Sequence, residues 1–232
     1  MLDEQERKRI AENIEDARQR IAQALEDSGR AGEEVLLMAV SKTVGPDEVA
    51  AAIEAGVHDF GENRTSELKA KSDIFPDENW HFIGRIQTNK LKDVVGRACL
   101  IHSVASLHAL DAIERLADRM DIVQPVLLEV NVSGEESKDG FTEGGLAGAI
   151  EHARGLSHVE VRGLMTMAPL GDIDTACRVF GRLREIRDKF NSICDNSDTI
   201  LMTELSMGMT QDFEEAVREG STMVRLGRSI FA

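Results

Sequence analysis

Lysine is scarce in this chain, 8 residues against 19 arginines, and Lys42 directly ends the apolar run "LLMAVSKTV" at 36–44. An ammonium at the mouth of a segment that favours burial loses hydration, and lost hydration favours the neutral, nucleophilic amine. A second set of residues suits an anion. Ser206 and Gly208 in "LSMGM" and Arg225, Gly227 and Arg228 in "VRLGR" combine positive charge with glycines whose backbone N–H groups a ligand can approach closely. Phosphate is the group such a set would hold. Each signal also has an ordinary explanation: a lysine after a strand is commonly a solvated charge, and glycine in a tight turn is commonly turn chemistry. The six histidines include no HExxH pattern and no helix-face pair, which gives a metal site no support.

The chain carries 42 acidic against 27 basic residues, a formal net charge of -15. Phosphate-backbone binding needs a clustered basic surface, and none is present, so nucleic acid is not an expected partner. The opening stretch "MLDEQERKRIAENIEDARQR" is too charged for a secretory signal. No apolar stretch approaches the roughly 18 residues of a membrane span. Cys99, Cys177 and Cys194 are odd in number and lack CxxC spacing. That argues against a disulfide framework or a thiolate metal site and fits a reducing compartment. A cytoplasmic protein without membrane contact is the expectation.

What must position these residues is a regular alternation. Eight apolar runs, "VLLMAVS", "VHDFGEN", "WHFIG", "CLIHSV", "VQPVLLEVNV", "VEVRGLMTMA", "TILMTELSMG" and "MVRLGRSIF", are separated by helix-like segments at 46–55, 63–73, 87–95, 106–119, 142–153, 172–190 and 210–219. Eight such alternations with near-continuous apolar strands predict a (β/α)8 TIM-like barrel, whose usual size is about 250 residues. A doubly wound open sheet is the alternative, but no GxGxxG follows the first run. No linker interrupts the series, so residues 1–232 read as one domain. The eighth run leaves no room for an eighth crossover helix. The amphipathic helix that opens the chain, with Ile10, Ile14, Ile21 and Leu25 at helical spacing up to about Asp27, has no strand of its own and is the expected cover.

In such barrels chemistry sits at the carboxyl ends of the strands. Lys42 ends strand one, Asn63 follows strand two, and His81 lies inside strand three. Asn131 and Ser133 end strand five, Ser206 and Gly208 strand seven, and Arg225, Gly227 and Arg228 strand eight. His81 alternates with Trp80 and Phe82 and therefore either packs in the core or contacts a ligand. Met165, Met167, Met207 and Met209 near strand ends six and seven read as soft packing.

The strings "AVSKT", "FGEN", "HFIGRIQTNK", "IHSV", "LLEVNVSGEESKDGF", "RGLMTMAP", "LSMGMTQDFEEAV" and "VRLGRSIF" stand in the order and spacing of the pyridoxal phosphate homeostasis proteins. The chain resembles that family from about residue 8 to 231. The resemblance implies a single barrel of the alanine racemase N-terminal domain type with pyridoxal 5'-phosphate as cofactor. By resemblance, Lys42 forms the Schiff base, Asn63 lies near the ring oxygen, and Arg225 faces the pyridine nitrogen. The phosphate lies on Ser206, the Met207–Gly208 backbone, Gly227 and Arg228. Arg228 stands where the family often has a small hydroxyl residue, so a charge-assisted pair replaces the hydroxyl contact. Lys138, in the loop after strand five, is either solvated or a second amine that receives or passes on the cofactor.

A guanidinium against the pyridine nitrogen disfavours its protonation and makes the ring a weak electron sink. Alanine racemases use a tyrosine as second base and carry a separate β-domain, whereas this chain has no tyrosine. The resemblance therefore implies a monomeric carrier and regulator of the cofactor, supplying apo-enzymes that depend on it, without turnover. A racemase is the alternative.

Overall fold

Eight parallel strands run round a closed barrel in chain order: β1 (Leu36–Val40), β2 (Asp59–Glu62), β3 (Asn79–Phe82), β4 (Leu100–Val104), β5 (Gln124–Glu129), β6 (Val159–Met165), β7 (Glu204–Met209) and β8 (Met223–Leu226). β1 closes on β8 with Leu36 opposite Met223 and Met38 opposite Arg225. The computed structural model describes residues 2–135, 138–169, 171–193 and 200–232.

The helices are α1 (Glu4–Asp27), α2 (Pro46–Glu54), α3 (Thr65–Ile74), α4 (Leu107–Met120), α5 (Glu143–Arg154), α6 (Ile173–Ile193), α7 (Phe213–Arg218) and α8 (Arg228–Phe231). Their ends are set by local chemistry. Asp3 accepts from the Glu6 N–H at 2.8 Å, Ser106 caps α4, Thr142 caps α5, and Pro46 opens α2 where a missing N–H costs nothing. Phe60, Trp80, Phe82 and Phe180 fill the layer between strands and helices.

Three expectations are corrected. Segment 87–95 holds a 3-10 helix, Thr88–Asp93, and not an α-helix. The last run is strand only to Leu226, and its end folds into the single turn of α8. The helix expected at 210–219 is α7, six residues long. With both final helices this short, α1 supplies the cover: Ile10, Ile14, Ala17, Ile21 and Leu25 are buried on the side that packs on α2, α7 and α8. Asn13 donates to the Ile230 carbonyl at 2.9 Å, and the Arg20 guanidinium lies over Phe213 and 2.5 Å from Glu214.

β7 slips against β8, with Ser206 opposite Met223 but Met209 opposite Arg225. The extra residue is accommodated at Gly208, whose φ of +94° lies in the left-handed region. A Cβ there would sit 2.5 Å from that of Ala216. The slip lets Ser206 and Met209 both face inward although they are three apart.

Candidate functional site

Five of the nine expected site residues meet at one cavity of about 420 Å³ at the carboxyl ends of the strands: Lys42, Asn63, Arg225, Gly227 and Arg228. Each lies at the end of a strand or within two residues past it. Lys42 is two residues past β1 and exposed, so the desolvation expected of it is not supplied by the chain. Asn63 follows β2. Its carbonyl packs so closely on Gly84 that a Cβ on that glycine would collide with it. The wall is apolar, made by Val40, Ile83, Met165, Met167 and Met209, and Thr210, Gln211 and Asp212 complete the β7 side. The Asp212 carboxylate accepts from the Met209 N–H at 2.6 Å and closes that loop. Thr210 and Ser229 hydroxyls, 3.3 Å apart, join it to α8.

Arg225 lies at the cavity floor, 5% exposed. Nη1 donates to Ser206 Oγ at 2.7 Å and Nη2 to the Thr166 carbonyl at 3.0 Å. Burial pushes its pKa down to about 10, against the opposing pull of Asp212 and Glu129. It stays a cation at neutral pH. Glu129, at the end of β5, is pushed up to about 7, by burial first and by Asp139 second, while Arg225 and Arg85 oppose the rise.

The other four expected residues are not in this lining. His81 points into the barrel, bonded to Asp59 on one side and His102 on the other. Ser206 bridges His102 and Arg225 below the cavity. Met207 faces outward into the helix layer, and Gly208 carries the slip of β7. The polar end of the cavity is lined by Thr210 and Gln211 after β7 and by Gly227 and Arg228 after β8. A helix macrodipole adds little here, since α7 and α8 have six and four residues.

Of the methionines read as packing, Met207 packs in the core and Met165 both packs against Leu100, Leu127 and Met223 and lines the cavity, which Met167 and Met209 also line. Sequence reasoning missed a buried pair beneath Lys42. Lys71 of α3, 3% exposed, lies 2.6 Å from Glu62 Oε1 and donates to the Ser41 carbonyl at 2.7 Å. Ser41 Oγ donates to the same Glu62 oxygen at 2.7 Å. The only signal was the position of Ser41 and Glu62 beside Lys42 and Asn63. Lys138 is paired with Glu135 at 2.8 Å and reaches the Met167 carbonyl at 3.4 Å, which places it beside the cavity mouth. Asn131 ties down its own loop by bonds to Gly134, Glu135 and Lys138, and Ser133 donates to Asn131. Cys99 and Cys177 are free thiols, and Cys194 lies outside the described residues. No helix among the described residues is long and apolar enough to cross a membrane.

The family described as "Alanine racemase, N-terminal domain" matches residues 6–232. The chain is 40% identical over 216 residues to the pyridoxal phosphate homeostasis protein of Aquifex aeolicus, covering 92% of this chain and 93% of that one. With its Escherichia coli counterpart it shares 34% over 235 residues, 96% and 95% of the two chains. Among solved structures, PipY of Synechococcus elongatus with PLP bound superposes at a TM-score of 0.79 and 31% identity, over 91% of this chain and all of that one. Alanine racemase from Corynebacterium glutamicum, at 16% identity and a TM-score of 0.67, shares the barrel over 96% of this chain and 60% of its own. The chain belongs to the alanine racemase N-terminal domain family and, within it, to the pyridoxal phosphate homeostasis proteins.

Proposed function

We propose that the cavity holds pyridoxal 5'-phosphate through Lys42 and that the protein acts in cofactor homeostasis, storing and releasing the cofactor without turning over a substrate. The observation that carries this is the donor set gathered at one cavity: a single amine, a buried guanidinium, an apolar wall and a polar end. The residues fit the group. The apolar wall suits an aromatic ring, Asn63 a ring oxygen, Arg225 a ring nitrogen that only accepts, and Thr210, Gln211, Gly227 and Arg228 a phosphate. When bound, pyridoxal phosphate supplies an aldehyde that condenses with amines and a ring that can withdraw electrons.

The chain's own residues restrain that chemistry. Arg225 remains cationic and disfavours a proton on the atom it faces. Asp212, the carboxyl in the wall, is engaged by the Met209 N–H, and His81 is inside the barrel below the cavity. The PipY structure with PLP bound and the names of the relatives support the cofactor assignment. One domain spanning 1–232, a monomer in the cytoplasm serving apo-enzymes that use pyridoxal phosphate, completes the proposal.

The test is the visible spectrum of the purified protein before and after borohydride, with the modified peptide mapped. A reducible band mapping to Lys42, lost in Lys42→Ala and kept in Lys138→Ala, is expected. A reducible band that persists in Lys42→Ala overturns the assignment.

A further inference from the structure

A continuous line of side-chain hydrogen bonds runs through the barrel and ends beneath the cavity. It starts at Asp59, the first residue of β2, whose Oδ1 is 3.1 Å from His81 Nε2. His81 Nδ1 is 3.0 Å from His102 Nε2, His102 Nδ1 is 2.9 Å from Ser206 Oγ, and Ser206 Oγ is 2.7 Å from Arg225 Nη1. The line follows β2, β3 and β4, crosses the interior to β7 and finishes on β8. Asp59 is 22% exposed at the amino-terminal face, whereas His102 and Ser206 are fully buried.

Hydrogen-bond chemistry gives this line one direction. A guanidinium can only donate, so Ser206 accepts from Arg225. Ser206 donates its own proton to His102 Nδ1 when that nitrogen carries none. Burial above all, reinforced by His81 and Arg225, pushes His102 well below the ordinary imidazole value, so it carries one proton, on Nε2. That proton is donated to His81 Nδ1, and His81 in turn donates from Nε2 to the Asp59 carboxylate. One end of the line cannot accept and the other cannot donate. With one proton on each imidazole, the three groups between them have a single arrangement in which every bond is made.

We propose that Asp59, His81 and His102 are positioning residues for the cofactor cavity. Through the directed line they fix the Ser206 hydroxyl as an acceptor, and Ser206 with the Thr166 carbonyl holds the Arg225 guanidinium at the floor. The ligand side of this inference rests on the pyridoxal phosphate assignment, and the two fail separately.

The direct test is histidine nitrogen NMR on the ¹⁵N-labelled, cofactor-free protein at neutral pH. Both His81 and His102 are expected as Nε2–H tautomers, and a proton on Nδ1 of either overturns the line. On cofactor-loaded protein, Asp59→Ala is expected to weaken pyridoxal phosphate binding roughly fivefold to tenfold and to shift the visible absorbance maximum, a loss the size of one weakened charge-assisted bond. Asp59→Asn, which keeps an acceptor oxygen, recovers most of both, and borohydride trapping on Lys42 persists in each. Unchanged affinity and spectrum in Asp59→Ala overturn the positioning role, and Asp59, at the exposed end, is the member whose replacement least disturbs folding. Failure of trapping in the unaltered protein instead sinks the cofactor assignment and leaves the tautomer result standing.

Discussion

Lys71 donates to the carbonyl oxygen of Ser41 at 2.7 Å, and Ser41 is the residue that precedes Lys42. A lysine buried in α3 thus holds the turn that carries the cavity's amine. Its charge is met by Glu62 at 2.6 Å, while Glu62 Oε2, also buried, has no hydrogen-bond partner among the described residues.

Removing one member of a buried ion pair strands the other, at a cost of about 3–5 kcal/mol. Lys71→Met is therefore expected to lower the urea midpoint sharply and to slow borohydride trapping on Lys42. The double variant Lys71→Met, Glu62→Gln should regain much of the stability. A double variant as unstable as the single one would show that Lys71 matters for its packing and not for its charge.

The Glu129 carboxyl, raised from 4.5 to about 7, makes a pH-dependent contribution to stability. The folded state binds its proton more tightly than the unfolded state, so the contribution is complete below about pH 4.5 and is lost as pH rises towards 7. Each tenfold difference in proton affinity between the two states is worth about 1.4 kcal/mol, which makes the whole contribution on the order of 3 kcal/mol. Glu129→Gln removes it. Melting temperatures at pH 5 and pH 8 should show the variant gaining on the parent protein at the higher pH.

At the polar end of the cavity, Arg228 and the Gly227 backbone are placed for a phosphate. Pyridoxal without its phosphate is expected to bind much more weakly than pyridoxal phosphate, since each lost charge-assisted bond removes roughly 1.5–3 kcal/mol. Arg228→Ala should weaken only the phosphorylated vitamer. Equal losses for both vitamers, read by fluorescence titration, would move the phosphate elsewhere.

Racemisation needs acid/base groups on two faces of the substrate, and the loss of one positioned group costs about 10²–10⁴ in rate. With no tyrosine in the chain and His81 bonded inside the barrel, the loaded protein incubated with L-alanine is expected to form no D-alanine above the rate of free pyridoxal phosphate. Enzyme-proportional D-alanine that disappears in Lys42→Ala would establish a racemase, and Asp212→Asn would then be the variant to make.

Alternation and apolar runs alone determined the closed eightfold barrel and the addresses of Lys42, Asn63, Arg225, Gly227 and Arg228. Each of these residues stands at or just past the end of a strand, so its position follows from local pattern plus the rule that parallel barrel strands all end on one face. The family strings added the cofactor, which no spacing specifies.

Tertiary structure decided the rest. Lys71 sits in "TSELKAKSDI", a polar stretch that reads as solvated, and only the packing of α3 over the ends of β1 and β2 buries it. His102 and Ser206 are 104 residues apart and on strands that are not neighbours. Alternation places Ser206 at a strand end but carries no record of the slip at Gly208 or of the bonds its hydroxyl makes to His102 and Arg225. Local chemistry sets which face a side chain takes, but which partner it meets across a barrel depends on stagger and closure, properties of all eight strands together.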